Sequence, residues 1–356
     1  MRAPRRVLRS MARRQSGGAI LVVVLLLACL VVGLAGGFTT RALTGVRKTP
    51  VSERTEDNEV TPAPTYESSP RVPVASLPEQ TGEEPPASPQ AFDTGRATAT
   101  VEYLAGTLGY REQGTQAETA AAGYVVDRLR EYGYQPYVQE VPITVNGRVT
   151  RNVIAELPGT QRPSKGIVVG AHLDSRGGPG ANDNATGVSV VLELARILKA
   201  NARNVPAVTF VFFGGEERTE GSSAGNNHWG SRHYVANLTA AQKAACAGMV
   251  SVDMVGKGTQ FLANSMGLSR GTLKDYMLEL GAPMGMGYRR DGGLSDHMPF
   301  EKAGIPTVWL EYREPAEYHQ PTDTPAAVDY GHVQQVGSLL VQFFEQHLTG
   351  ERVDAL

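Results

Sequence analysis

At 356 residues the chain is longer than one ordinary domain requires, so a folded body with additional segments is expected. Residues 1–48 carry nine Lys or Arg and no acid, so the net charge of −2 conceals an acidic remainder. That remainder argues against nucleic acid as a partner, because phosphate binding needs clustered positive charge. Apolar residues at 41% with 20% charged exclude a wholly disordered chain. The only two cysteines, Cys29 inside an apolar run and Cys246, exclude a disulfide-stapled fold.

Six arginines fall within the first fourteen residues, and Ala19 to Phe38 then gives twenty uncharged, almost wholly apolar residues. A helix of that length spans roughly 30 Å, the thickness of a bilayer's hydrocarbon core. The reading is an Arg-rich cytoplasmic segment at 1–18 and a transmembrane signal-anchor at 19–38, oriented by the positive-inside rule with the body outside the cell. A cleaved signal peptide, or a lipoprotein signal at Leu26-Leu27-Ala28-Cys29, is the alternative. From Thr49 to about Gln90 the chain holds nine of the 22 prolines with many Glu, Ser and Thr and no apolar periodicity. Such a segment cannot bury enough surface to offset its ordering entropy, so residues 39–91 read as a Pro-rich disordered stalk.

The pattern changes in residues 92–350. Helical spacing over 116–132 stops at Gly133. Val138 to Val145 and Val149 to Leu157 predict a strand pair turning at Asn146-Gly147. Ile167–Ala171 and Val208–Phe213 are apolar without alternation, as strands covered on both faces are, and a helix is predicted between them at 187–199. A buried strand at Gly248 to Val252, a helix near 268–280, a strand at 307–310 and a last helix near 326–347 complete the series. Alternating strand and helix imply an α/β sandwich with a mostly parallel sheet, and ligands of such sheets collect at the carboxyl ends of the strands.

Those ends carry chemistry. The strand 167–171 runs into His172-Leu173-Asp174, and residues two apart in an extended chain point the same way, so Asp174 can reach the His172 imidazole and fix its tautomer. The turn Gly180-Ala181-Asn182-Asp183-Asn184 precedes a helix. Val208–Phe213 leads to Gly214-Gly215-Glu216-Glu217, Gly248–Val252 leads to Asp253, and Tyr318-His319-Gln320-Pro321-Thr322-Asp323 sets one more His in a loop. Imidazoles and carboxylates converging on one sheet edge are what zinc takes as ligands.

In this order the segments His172-Leu173-Asp174-Ser175, Gly180 to Asn184, Gly215-Glu216-Glu217, Gly230-Ser231-Arg232, Asp253-Met254, Ser295-Asp296-His297 and Tyr318-His319 resemble the co-catalytic zinc aminopeptidases of the M28 type, over roughly residues 92–350. The resemblance implies an eight-stranded mixed sheet and two Zn2+ ions. One would be held by His172 and Asp253 and the other by Glu217 and His319, with Asp183 bridging; Glu216 would be the general base and Tyr318 would polarise the carbonyl. Peptides would be the substrates. Independently of the resemblance, peptide hydrolysis needs an activated water at neutral pH, which metal binding supplies. With Glu217 as the ligand that the resemblance implies, Glu216 is left free for proton transfer, because adjacent side chains diverge.

One departure concerns the link from Arg218 to Trp229, twelve residues where the family usually has few. Glutaminyl cyclases share the fold and have a similarly long link, but tend to carry Trp before the last His; Tyr318 and Thr322-Asp323-Thr324 favour the peptidase. The expectation is therefore a membrane-anchored extracellular metallo-aminopeptidase, with a glutaminyl-peptide cyclase as the alternative and a non-catalytic binding ectodomain as a third reading. Gly221-Ser222-Ser223-Ala224-Gly225 matches a nucleophile elbow without the strand before it, and reads as chance. His228 and His233 lack an accompanying carboxylate set, His297 is expected to support the pocket, and Cys246 reads as a small core residue.

Overall fold

The apolar runs of the sequence form the middle of one eight-stranded sheet in a computed structural model that describes residues 90–160, 165–201, 205–219 and 225–356. The segment 1–18, the expected membrane helix 19–38, the stalk up to residue 89 and the Gly221 to Ala224 part of the nucleophile-elbow match lie outside the described residues. Among the described residues no helix is long and apolar enough to cross a membrane.

In chain order the elements are α1 (Thr94–Val101), α2 (Gln116–Glu131), β1 (Tyr137–Ile143), β2 (Arg148–Leu157), β3 (Gly166–His172), α3 (Gly187–Ala200), β4 (Ala207–Phe213), α4 (Trp229–Asn237), α5 (Ala240–Ala245), β5 (Cys246–Val252), β6 (Gln260–Ser265), α6 (Thr272–Gly281), β7 (Gly287–Arg290), α7 (His297–Lys302), β8 (Thr307–Arg313), α8 (Tyr330–Gln342) and α9 (Gly350–Ala355). The sheet order is β1-β2-β4-β3-β5-β8-β6-β7. The central strands β4, β3, β5 and β8 are mutually parallel, as is the pair β6 and β7; the joints β1-β2, β2-β4 and β8-β6 are antiparallel.

The central strands lack alternation because both faces are covered. Ile167, Val169 and Ala171 of β3 pack with α1, α2, α3, α6 and α8 in the larger core, whereas Val168 turns to the smaller core formed with Tyr234 and Val235 of α4 and Phe300 of α7. Helix α3 is buried along almost its whole length, and its one buried carboxylate, Glu193, is paired with Arg196 of the same helix at 2.6 Å.

Among the boundaries that differ from the sequence reading, three have a clear local reason. β1 ends at Ile143 because its carbonyl accepts from Gly147 and Asn146, closing the turn early. Helix α6 begins at Thr272 and not near 268, since the amides of Met266, Leu268 and Ser269 donate to the buried Glu301 carboxylate instead of entering a helix. The last helix is interrupted: a short turn at Pro325–Ala327 gives way to extended Val328, and α8 restarts behind Asp329, whose side chain caps Gly331. The strands β6 and β7 have no counterpart in the sequence reading; β6 is held by antiparallel pairing to β8 and β7 by pairing to β6.

Candidate metal centre

Because β4, β3 and β5 run parallel, their carboxyl ends share one edge of the sheet. His172 is the last residue of β3, Glu216 and Glu217 follow β4 across two glycines, and Asp253 follows β5 directly. Asp183 comes from the turn that enters α3, and His319 from the loop beyond β8. Nε2 of His172 lies 3.1 Å from Oδ1 of Asp183 and 3.3 Å from Oδ1 of Asp253. Nε2 of His319 lies 2.8 Å from Oε1 of Glu217 and 3.3 Å from Oδ2 of Asp183. The two oxygens of Asp183 thus face two different imidazoles. The donors fall into two groups sharing that residue, His172-Asp183-Asp253 and Asp183-Glu217-His319, and within each group the donor atoms lie within 4.8 Å of one another.

A second layer of buried side chains holds the donors. The Asp174 carboxylate accepts from the backbone amides of both Glu216 and Glu217, at 3.0 Å each. It also stands beside the imidazole of His172, but Nδ1 meets the main-chain oxygen of Asp174 at 3.1 Å, closer than its carboxylate at 3.5 Å. Asp323 plays the matching part for the other loop, accepting from Asn182 N at 2.7 Å and Asp183 N at 3.1 Å. Asn184 donates to the Val252 carbonyl and accepts from Gly187 N, tying the Asp183 turn to β5 and α3. Arg111, fully buried, donates to the carbonyls of Leu104, Gly109, Leu173, Pro179 and Gly180 and so pins the segment between His172 and Asp183. Gly177 is held at φ 70°, and a Cβ there would sit 2.2 Å from the His319 carbonyl, so only glycine lets these loops meet.

The electrostatics follow from packing carboxylates out of water. Burial pushes Glu217 up to about 7, with Asp183 adding to the rise and His319 opposing it. Burial raises Glu216 well above the carboxylate range, His172 offsetting part of this and Glu217 adding to it. Asp183 is held below its ordinary value, because the imidazoles of His172 and His319 outweigh its burial. Burial lowers His319, yet its contacts with Asp183 and Glu217 leave it raised to about 9. Among the described residues no Lys or Arg forms an ion pair with Asp183, Glu217 or Asp253. A buried set of two imidazoles and three carboxylates within such short distances can hold cations, and its nitrogen and oxygen donors suit zinc.

The remaining candidates surround the donors. The Tyr318 ring stacks on His319 with centroids 3.7 Å apart. The side chain is half exposed; partial desolvation and then Asp183, Glu217, Glu216 and Asp253 raise its phenol above the ordinary value, so it remains protonated at neutral pH. Glu216 is absent from both donor groups, and its Oε1 meets Nε2 of His228 at 2.7 Å. That contact was not foreseen, since the sequence reading weighed His228 only as a ligand; its place just before Gly230-Ser231, where the link returns to the sheet, was the available signal. Burial, with the charge of Arg232, lowers His228 to about 3. His297 hydrogen-bonds Asp291 at 3.1 Å and stacks on Trp309, a wall of the adjoining cavity. The roles of Asp323 and Arg111 were likewise not read from the sequence.

Comparison with known proteins agrees with this architecture. The chain is 33% identical over 230 residues to leupeptin-inactivating enzyme 1 of Streptomyces exfoliatus, an alignment covering 64% of this chain and 50% of that protein, so it spans about half the length of that relative. Among solved structures, the zinc aminopeptidase BSAP from Bacillus subtilis superposes with a TM-score of 0.61 at 19% identity, covering 70% of this chain and 93% of that one. Tannerella forsythia glutaminyl cyclase does so with a TM-score of 0.62 at 21% identity, covering 73% of this chain and all of the other. At these identities the two structures share the fold with this protein. Residues 152–344 match peptidase family M28, and the chain belongs to that family.

Proposed function

We propose that the protein is a membrane-anchored, extracellular aminopeptidase that removes N-terminal residues from peptides and holds two zinc ions. The observation that carries the reading is the Asp183 carboxylate, one oxygen toward the His172 group and the other toward the His319 group. His172 and Asp253 would hold one ion, Glu217 and His319 the other, with Asp183 common to both. When bound, such ions acidify water and polarise a carbonyl oxygen.

The chain's own residues do the rest. A cavity of about 190 Å³ bounded by Met254, Leu294, Trp309, Arg313 and Tyr318 adjoins the donors and takes the side chain of the N-terminal residue. Glu216, which ligates neither group, takes the proton of the attacking water and passes it to the leaving amine. Tyr318 donates from its phenol to the oxygen that becomes negative in the tetrahedral intermediate.

The glutaminyl cyclase reading keeps one observation in its favour, the long link joined to a shared fold. Paired free and N-acetylated peptides, some beginning with Gln, are incubated with the zinc-loaded protein and read by mass spectrometry. Release of single residues from the free peptides alone supports the aminopeptidase. Loss of ammonia from N-terminal Gln without release of a residue overturns it in favour of the cyclase, and cleavage of acetylated peptides overturns both. Protease shaving of intact cells that make the full chain tests the anchored topology: removal of the body supports it, and full protection refutes it.

A further inference from the structure

The link that joins the Glu216-Glu217 pair to α4 returns to the site at its end along a defined path. His228 N donates to Glu216 O at 2.8 Å, Trp229 N to Gly215 O at 2.8 Å and Gly230 N to Gly214 O at 2.9 Å, so residues 228–230 close on the strand end one by one. The approach is tight: a Cβ at Gly230 would lie 2.3 Å from Oδ1 of Asn152 and 2.5 Å from the Gly214 carbonyl. At its tip His228 adopts φ 56° and ψ 36°, a left-handed conformation that residues with a Cβ rarely take. The result is an imidazole 1% exposed whose Nε2 lies 2.7 Å from Oε1 of Glu216, itself 6% exposed.

A contact that short requires a proton between the two atoms. Glu216 has its backbone amide anchored by Asp174, but among the described residues His228 is the sole ion-pair partner of its carboxylate, with no Lys or Arg beside it. Without that contact the carboxylate is free to turn about its side-chain torsions toward the neighbouring donor groups. A general base must stay within hydrogen-bond reach of the proton it removes, and a displacement of about 1 Å can cost on the order of 10²-fold in rate. His228 is not a member of either donor group; besides Oε1 of Glu216, its Nε2 meets the side-chain amide nitrogen of Asn227 at 3.4 Å.

We propose that His228 is the positioning residue for Glu216: it holds Oε1 and leaves Oε2 to face the attacking water. This rests on the peptidase reading above.

The test uses the zinc-loaded full chain with His228→Asn and His228→Gln. Asn tolerates the left-handed backbone but its amide stops short of Glu216, whereas Gln brings an amide donor close to the position of Nε2. His228→Asn should lower kcat by about 10–100-fold with KM and zinc content unchanged, and His228→Gln should recover most of the loss. In the parent protein the Nε2 proton of His228 should resonate at low field and shift in Glu216→Gln. A His228→Asn variant that keeps kcat within about threefold of the parent, or that loses kcat and zinc together, overturns the positioning role while leaving the peptidase reading intact. So does a His228 Nε2 proton that Glu216→Gln does not move, a result that stands even where the Asn variant fails to fold. A parent that releases no residue from any free peptide overturns the peptidase reading itself.

Discussion

Replacing Asp183 tests the shared-carboxylate arrangement directly. It contributes Oδ1 to the group containing His172 and Asp253 and Oδ2 to the group containing Glu217 and His319, whereas His319 belongs to one group only. Zinc held by four protein ligands in small peptides is bound with about 10–16 kcal/mol, or about 3 kcal/mol per ligand. At about 1.4 kcal/mol per decade, losing one ligand weakens a site by about 10²-fold. Asp183→Ala should therefore weaken zinc at both sites by about that factor, and His319→Ala at one. Equilibrium dialysis against a graded chelator, followed by elemental analysis of zinc per chain, reads both events. The parent should show two tight zincs, His319→Ala one tight and one weak, and Asp183→Ala two weak. Loss of a single zinc in both variants, or of none in Asp183→Ala, refutes the bridge.

Four further outcomes follow from the geometry. Glu216→Gln should retain both zincs and lose about 10²–10⁴-fold in kcat, since the side chain is in neither donor group; metal loss in that variant would make Glu216 a ligand. Tyr318→Phe keeps the ring that stacks on His319 and deletes the donor, so kcat should fall by about 10²–10³; a rate within about threefold of the parent reduces Tyr318 to packing. Arg111→Met strips the donor from the carbonyls of Leu104, Gly109, Leu173, Pro179 and Gly180, which should cost about 3–5 kcal/mol in urea unfolding; a cost below about 1 kcal/mol would show those carbonyls satisfied without it. Burial pushes the Cys246 thiol up to about 11. Its thiolate should be about one part in a thousand at pH 8, and alkylation of the folded protein should rise about tenfold per pH unit up to pH 10; a plateau near pH 9 would contradict the burial.

The sequence alone determined what is governed by local periodicity and by residue type at strand ends. Ile167–Ala171, Val208–Phe213 and Gly248–Val252 were legible as buried strands because covering both faces removes alternation. A parallel sheet then sends the residues after each strand to one edge, so His172, Glu216, Glu217 and Asp253 could be grouped before any coordinate was known. The resemblance extended that grouping to Asp183 and His319. Tertiary structure decided what depends on partners distant in the chain. The strands Gln260–Ser265 and Gly287–Arg290 exist through pairing to β8 and to each other, a stabilisation that leaves little trace in their own residues. Asp323 grips the amides of Asn182 and Asp183 from 140 residues away, and the pairing of Asp174 with Glu216 and Glu217 spans more than 40. His228 read as an isolated imidazole because its carboxylate stands across a link with no periodicity of its own. Only the closure of that link onto Gly214, Gly215 and Glu216 brings the two side chains together, since main-chain hydrogen bonds of this kind are set by the fold and not by residue type.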